Sequence, residues 1–148
     1  MPADNKSIVR RLYEEVWNNR RLEVADEIIS LSHALHDNHQ PDSGIGPEAY
    51  KRNATRFLSA FPDLSFDVED IVAENDKVVV SWIISATHKG EFRGIPATNK
   101  RISVEGVTIN HIADGKIMDS YVNWDALGLM QQLGVVPHLG QPKGASAR

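Results

Sequence analysis

Apolar and polar positions repeat with two different periods in the two halves of the chain. In the first half, Ile8, Leu12, Val16 and then Leu22, Val24, Ile28 recur at helical steps, a spacing that gathers apolar side chains on one face. Two helices are predicted there, broken near "NNRR", with Asn5 or Ser7 available as the N-cap. A third helix is predicted from about Pro47 to Ala60. Proline suits its first turn, where no amide partner is lost, and Tyr50, Ala54, Phe57 and Leu58 supply the buried stripe. Between them, "LSHALHDNHQPDSGIGP" reads as a short strand followed by a loop.

From Pro62 the period changes to two. "LSFDVEDIVAE", "KVVVSWIISATHKGEF", "KRISVEGVTINHIAD" and "KIMDSYVNW" are rich in Val, Ile and aromatic residues, and "ENDK" and "ADGK" between them are hairpin signals. "DALGLMQQLG" then returns to a helical pattern. Helices first and strands later predict an α+β arrangement in which a curved antiparallel sheet covers its apolar face with about three N-terminal helices. Such a sheet forms a cone with one open mouth.

Composition narrows the picture. A chain of 148 residues, 41% hydrophobic and 24% charged, has the size and balance of one folded domain. We expect the domain over 1–136 and a flexible C-terminal tail over 137–148, where the residues are small and polar. Cysteine is absent, which removes disulfides, thiolate metal ligands and cysteine nucleophiles. The polar start "MPADNKSIVRR" and the lack of any apolar run near the ~20 residues that span a bilayer predict a cytoplasmic protein with no membrane contact. A net charge of −4, with basic residues only in scattered pairs, argues against nucleic acid.

Three blocks carry a resemblance: "FPDL" from Phe61, "THKGEFRGIPATNKRIS" from Thr87, and "HIADGKIMDSYVNWDALGLMQQLG" from His111. In this order and spacing they resemble the SnoaL-like polyketide cyclases, also called ester cyclases. The resemblance implies the conical α+β barrel of nuclear transport factor 2 and ketosteroid isomerase, dimerised through the outer face of its sheet. It also implies a ring closure by an intramolecular aldol step, which needs a base for a carbon acid and a donor for the enolate. Aligning the Gly-Lys-Ile turn and the "QLG" ending puts the cyclases' catalytic aspartate on Val122 and its assisting histidine on Thr108. Neither side chain here titrates.

By the same resemblance Val122 faces inward, so strand alternation puts Ser120 and Trp124 with it in the cavity and turns Asp119, Tyr121 and Asn123 outward. Ketosteroid isomerases polarise a carbonyl with a tyrosine on the first helix and move the proton with an aspartate on the first strand. Counted from "WNN", Tyr13 and Asp37 fall on those positions. A tyrosine hydroxyl at the narrow end of an apolar cone stabilises an oxyanion, and a carboxylate on its wall accepts the proton. In "HALHDNH", His36 is the alternative general base, imidazole being the side chain whose ordinary titration lies nearest neutral pH. A metal site is not expected, because His36 and His39 would leave opposite faces of a strand. Trp82 on the central strand is expected at the cavity wall, His88 in a structural hydrogen bond and His111 exposed.

The expected function is therefore cofactor-free acid/base chemistry, a cyclisation or isomerisation, on a hydrophobic carbonyl compound. Tyr13, His36 and Asp37 would be the catalytic groups, and Trp82, Thr108, Val122 and Trp124 would line the substrate pocket. The alternative is a non-catalytic pocket for a small hydrophobic metabolite, favoured by the valine and threonine at the cyclase positions. No nucleotide fingerprint is present, since the glycines of "KGEFRGIPATNK" do not lead from a strand into a helix.

Overall fold

The computed structural model describes residues 4–40, 43–138 and 140. Helix α1 (Asn5–Arg11) starts at Asp4, whose side chain accepts the Lys6 amide, and runs on into a π-helical stretch over Leu12–Asn18. The wider turn ends with the Asn19 amide on the Glu14 carbonyl, five residues back. It brings Leu12, Tyr13, Val16 and Trp17 together on the buried side, and such insertions recur at functional sites. Asn18 then clamps the helix end to the sheet, its amide nitrogen donating to the Phe66 carbonyl at 2.9 Å and its oxygen accepting the Phe66 amide at 2.8 Å.

A 3₁₀ turn (Leu22–Val24) and α2 (Ala25–Ile28) lead into β1 (Ile29–His36). The second predicted helix is thus only a few residues long. Helix α3 (Gly46–Ala60) carries Pro47 in its first turn, and β2 (Ser65–Glu74), β3 (Lys77–Thr87), β4 (Arg101–Ala113) and β5 (Lys116–Trp124) follow, closed by α4 (Ala126–Leu133). The tight β4–β5 turn has Asp114 and Gly115 both at positive φ, the pairing that a two-residue hairpin demands. The tail expected over 137–148 lies mostly outside the described residues.

The five strands form one curved, unclosed sheet in the order β1-β5-β4-β3-β2. One expectation is corrected: the sheet is mixed, because β1 pairs parallel with β5 while the other three pairings are antiparallel. The chain leaves β1 through α3 and enters the sheet again at the opposite edge, a long crossover of the kind that parallel pairing requires. Register shifts interrupt β1, β2 and the β4–β5 pair, and such bulges bend a sheet. The concave face buries Ile102, Val104, Thr108, Asn110 and Ile112 of β4 at every second position. Helix α1 with its π extension, α3 and α4 cover that face, and the aromatic core of Tyr13, Trp17, Phe61, Phe66 and Trp82 fills the cone.

Candidate active site

Inside the cone lies a cavity of about 110 Å³. Leu12, Phe61, Phe66, Ile102, Val104 and Leu129 give it an apolar wall. It adjoins a wider groove of about 520 Å³ that shares Gln40, Asn53 and Phe57 with it and carries Arg56, Glu91 and Arg93. The Arg93 guanidinium packs 5.2 Å from the Phe92 ring and 5.8 Å from Trp124, and donates to the His39 carbonyl at 3.0 Å.

Tyr13, Asp37, Trp82, Thr108, Val122 and Trp124 all line this one cavity. Strand pairing explains part of the gathering. Thr108 and Val122 are direct cross-strand partners, and Trp82 lies opposite Gly106, where any Cβ would come within 2.3 Å of the indole. The missing side chain lets the ring lie flat across β4, and its Nε1–H reaches the Thr108 hydroxyl at 2.9 Å.

His36 is the exception. It stands on the outer face, donating from Nε2 to Asp119 Oδ1 over 3.1 Å and stacked on Tyr121 at 4.2 Å. The reason is the period of two: with Asp37 inward at 6% exposure, Leu35 and His33 share its side and His36 does not. His111 extends the outer string, with Nε2 2.7 Å from Asp76. His88 is buried at a strand end and bonds Thr98 through Nδ1.

Asp37 is held by three donors: the His39 amide on Oδ1 at 2.9 Å, and Gln40 Nε2 at 2.9 Å and Trp124 Nε1 at 3.0 Å on Oδ2. A carboxylate offers about four lone-pair positions. One position on Oδ1 remains to take a proton. Beyond it, Asn53 Oδ1 is buried without a hydrogen-bond partner, an acceptor that a ligand hydroxyl would satisfy.

Burial pushes the Tyr13 pKa up to about 12, against the pull of neighbouring Thr108 and Asn110. The phenol is a neutral proton donor at physiological pH. Tyr50 accepts the Trp17 indole N–H at 2.8 Å and is likewise pushed up by burial. Asn110 accepts the Ser120 hydroxyl at 2.9 Å, and Ser120 in turn lies 3.0 Å from His33 Nε2. Burial brings the His33 pKa down to about 4, against the pull of Asp119 and together with His36. Sequence reasoning assigned no role to Asn110 or His33. The apolar alternation of β4 and the inward turn of Asp37 were the signals that would have found them. Among the described residues no three His, Asp or Glu side chains converge to hold a metal ion. No helix among them is long and apolar enough to cross a membrane.

The SnoaL-like polyketide cyclase family model matches residues 7–133. Aklanonic acid methyl ester cyclase DnrD of Streptomyces peucetius is 34% identical over 133 residues, which cover 86% of this chain and 88% of that protein. Nogalonic acid methyl ester cyclase of Streptomyces nogalater is 28% identical over 128 residues, 80% of this chain and 89% of its own. Among solved structures, TsrD from Streptomyces laurentii superposes with a TM-score of 0.80 at 28% identity, over 90% of this chain and all of its own.

Proposed function

Because the chain belongs to the SnoaL-like polyketide cyclase family, we propose that it performs cofactor-free cyclisation or isomerisation of a hydrophobic carbonyl compound held in the inner cavity. Asp37 removes a proton from the carbon next to the carbonyl, and the electron pair moves onto the carbonyl oxygen, where the Tyr13 hydroxyl stabilises it. The enolate carbon then either attacks a second carbonyl, whose oxygen takes the proton back from Asp37 as the ring closes, or that proton returns at another carbon. The single observation that carries this reading is that a buried, neutral tyrosine and a carboxylate with one open lone pair line the same small apolar cavity. Both groups are types that proton transfer at carbon requires.

The relatives' names point to the chemistry worth testing first, the methyl esters of aklanonic and nogalonic acid. The second reading, a cavity that only binds such a metabolite, draws on Val122 and Thr108 at the positions where the cyclases carry aspartate and histidine. We also propose a cytoplasmic homodimer that packs through the outer sheet face, where Val107, Ile109 and Tyr121 are 40–48% exposed.

The test begins with aklanonic and nogalonic acid methyl esters and a panel of ketosteroids, ranked by how far they raise the melting temperature. Ligands that pass are assayed for turnover with wild type, Tyr13→Phe and Asp37→Asn. Each substitution is expected to lower turnover about a hundredfold or more. Asp37→Asn keeps one acceptor oxygen, which in the Oδ2 place still takes Gln40 and Trp124 and leaves the His39 amide facing the new NH2, at a cost of about 1–3 kcal/mol. Turnover that falls only in proportion to the folded fraction would make Asp37 a scaffold residue, and equal rates in all variants would make the cavity a binder.

A further inference from the structure

The inner cavity, at about 110 Å³, is smaller than the cavity of about 150 Å³ that takes a single benzene. A ligand larger than one ring must therefore leave its remainder in the adjoining groove of about 520 Å³. The two spaces meet at Gln40, Asn53 and Phe57. Their charges differ. Among the described residues, Asp37 is the charged side chain on the cavity wall, whereas Arg56 and Arg93 line the groove against one carboxylate, Glu91. An acidic group on a ligand would be repelled in the cavity and attracted in the groove.

Neither arginine is paired with a carboxylate among the described residues. Elsewhere Arg11, Arg21, Lys51 and Arg101 each hold one at 2.7–3.3 Å. Glu91 is engaged by its own turn, its Oε1 accepting the Gly94 amide at 2.7 Å. Arg93 is also held in place. Its Nη2 donates to the His39 carbonyl at 3.0 Å, and its guanidinium lies 5.2 Å from the Phe92 ring and 5.8 Å from the Trp124 ring. The rest of the fork remains for an anion. The backbone points the same way: Arg93 and Gly94 sit at φ of 50° and 81° in the tight turn closed by Phe92 and Ile95. Asparagine or glycine suits the first of these positions. An arginine there is conformationally costly, and such residues cluster at ligand clamps.

We propose that the outer groove is a carboxylate subsite, in which Arg93 together with Arg56 binds an ionised acid group on the part of the substrate that stays outside the inner cavity. The proposal rests on the reading of the inner cavity as a substrate pocket. It adds the class of substrate, a hydrophobic keto acid whose acid group is free, and the direction in which it lies, with the ketone end innermost. A guanidinium fork matches the two oxygens of a carboxylate. Because Arg93 is already stacked on Phe92 and Trp124, it has little rotamer freedom to lose on binding. Trp124 connects the subsite to the chemistry, since the indole under the guanidinium also donates from Nε1 to Asp37 Oδ2 at 3.0 Å.

The experiment uses the intact protein and two probes, 6-acetyl-2-naphthoic acid and its methyl ester, which share a ketone and differ in the charge at the far end. Calorimetric titration near neutral pH gives both affinities, and the readout is their ratio. In wild type the acid is expected to bind about tenfold tighter than the ester at about 0.02 M salt, a preference that shrinks to about twofold at about 0.5 M. Arg93→Gln and Arg56→Gln are each expected to lower the ratio about threefold, and the double variant to bring it to about one. Glu91→Gln, which keeps an oxygen for the Gly94 amide, is expected to raise it. A distorted mouth would weaken both probes, so the ratio separates lost charge recognition from lost shape. A wild-type ratio of one overturns the proposal without any variant having to fold, and so does a ratio that both single variants leave unchanged. In either case an ester that still binds leaves the inner cavity standing as a pocket. If neither probe binds wild type, the reading of that cavity fails and the proposal with it.

Discussion

Acid should destabilise this fold through one residue more than any other of its kind. His33 is buried as the neutral imidazole, with a folded pKa of about 4 against an ordinary 6.5. As pH falls, the unfolded chain takes up this proton first, so the stability contribution is complete above pH 6.5, declines from there to about pH 4, and is flat below. The gap of about 2.5 pH units, at about 1.4 kcal/mol each, amounts to about 3 kcal/mol, of which about 2 kcal/mol is lost by pH 5. His33→Gln keeps an N–H for Ser120 and cannot titrate. Urea unfolding of both proteins between pH 8 and 4, at constant ionic strength, gives the two stability curves. The five other histidines are common to both, so the difference between the curves isolates His33. The variant is expected to lose about 3 kcal/mol less than wild type between the ends of that range. Parallel curves would show that His33 titrates alike in the folded and unfolded states, and the buried neutral imidazole would be refuted.

Val122→Asp puts a carboxylate on the apolar wall, where burial raises its pKa, so the variant's extra instability should grow as pH rises above about 4 and level off above the folded value; a pH-independent difference in urea unfolding would refute this. Gly106→Ala drives a methyl group into the Trp82 indole and should cost about 1–3 kcal/mol, read as a lower denaturation midpoint together with a red-shifted tryptophan emission. Wild type is expected to sediment as a dimer at micromolar concentration, and Ile109→Lys, on the outer sheet face beside Tyr121, as a folded monomer.

The strands were legible because each keeps one face buried. From β2 to β5 the period of two and the turn residues locate the strand ends to within a residue, except that β3 stops at Thr87 where the expected segment ran on to Phe92, and the inward set Ser120, Val122 and Trp124 follows from alternation once the resemblance turns Val122 inward. What alternation leaves open is which face of β1 looks inward. Asp37 and His36 are neighbours, so only one can share the cavity with Tyr13, and pairing to β5 decides it through the register His36 to Tyr121. The parallel sense of that pairing is equally invisible locally, because it depends on which sheet edge the chain reaches after α3. The π-helical stretch is hidden for a related reason. Its residues have ordinary helical patterning, and the extra residue in the turn is favoured by packing Tyr13 and Trp17 against Phe66 at 5.0 and 5.1 Å.

Asn110 illustrates how far reading and geometry differ. Its place in the β4 alternation marks it as inward, yet an inward asparagine among Ile102, Val104 and Ile112 looks like a packing defect until its partners are known. Each hydrogen bond at the cavity floor contributes only about 1 kcal/mol net, while a single unmet buried donor or acceptor costs about 1–3 kcal/mol. A floor of valine and alanine in place of Thr108, Asn110 and Ser120 would hold the cone together at least as well. Fold stability therefore does not account for the polar chain. Thr108, Asn110 and Ser120 all line the cavity together with Tyr13 and Asp37, and polar groups in that place are what a carbonyl ligand would require.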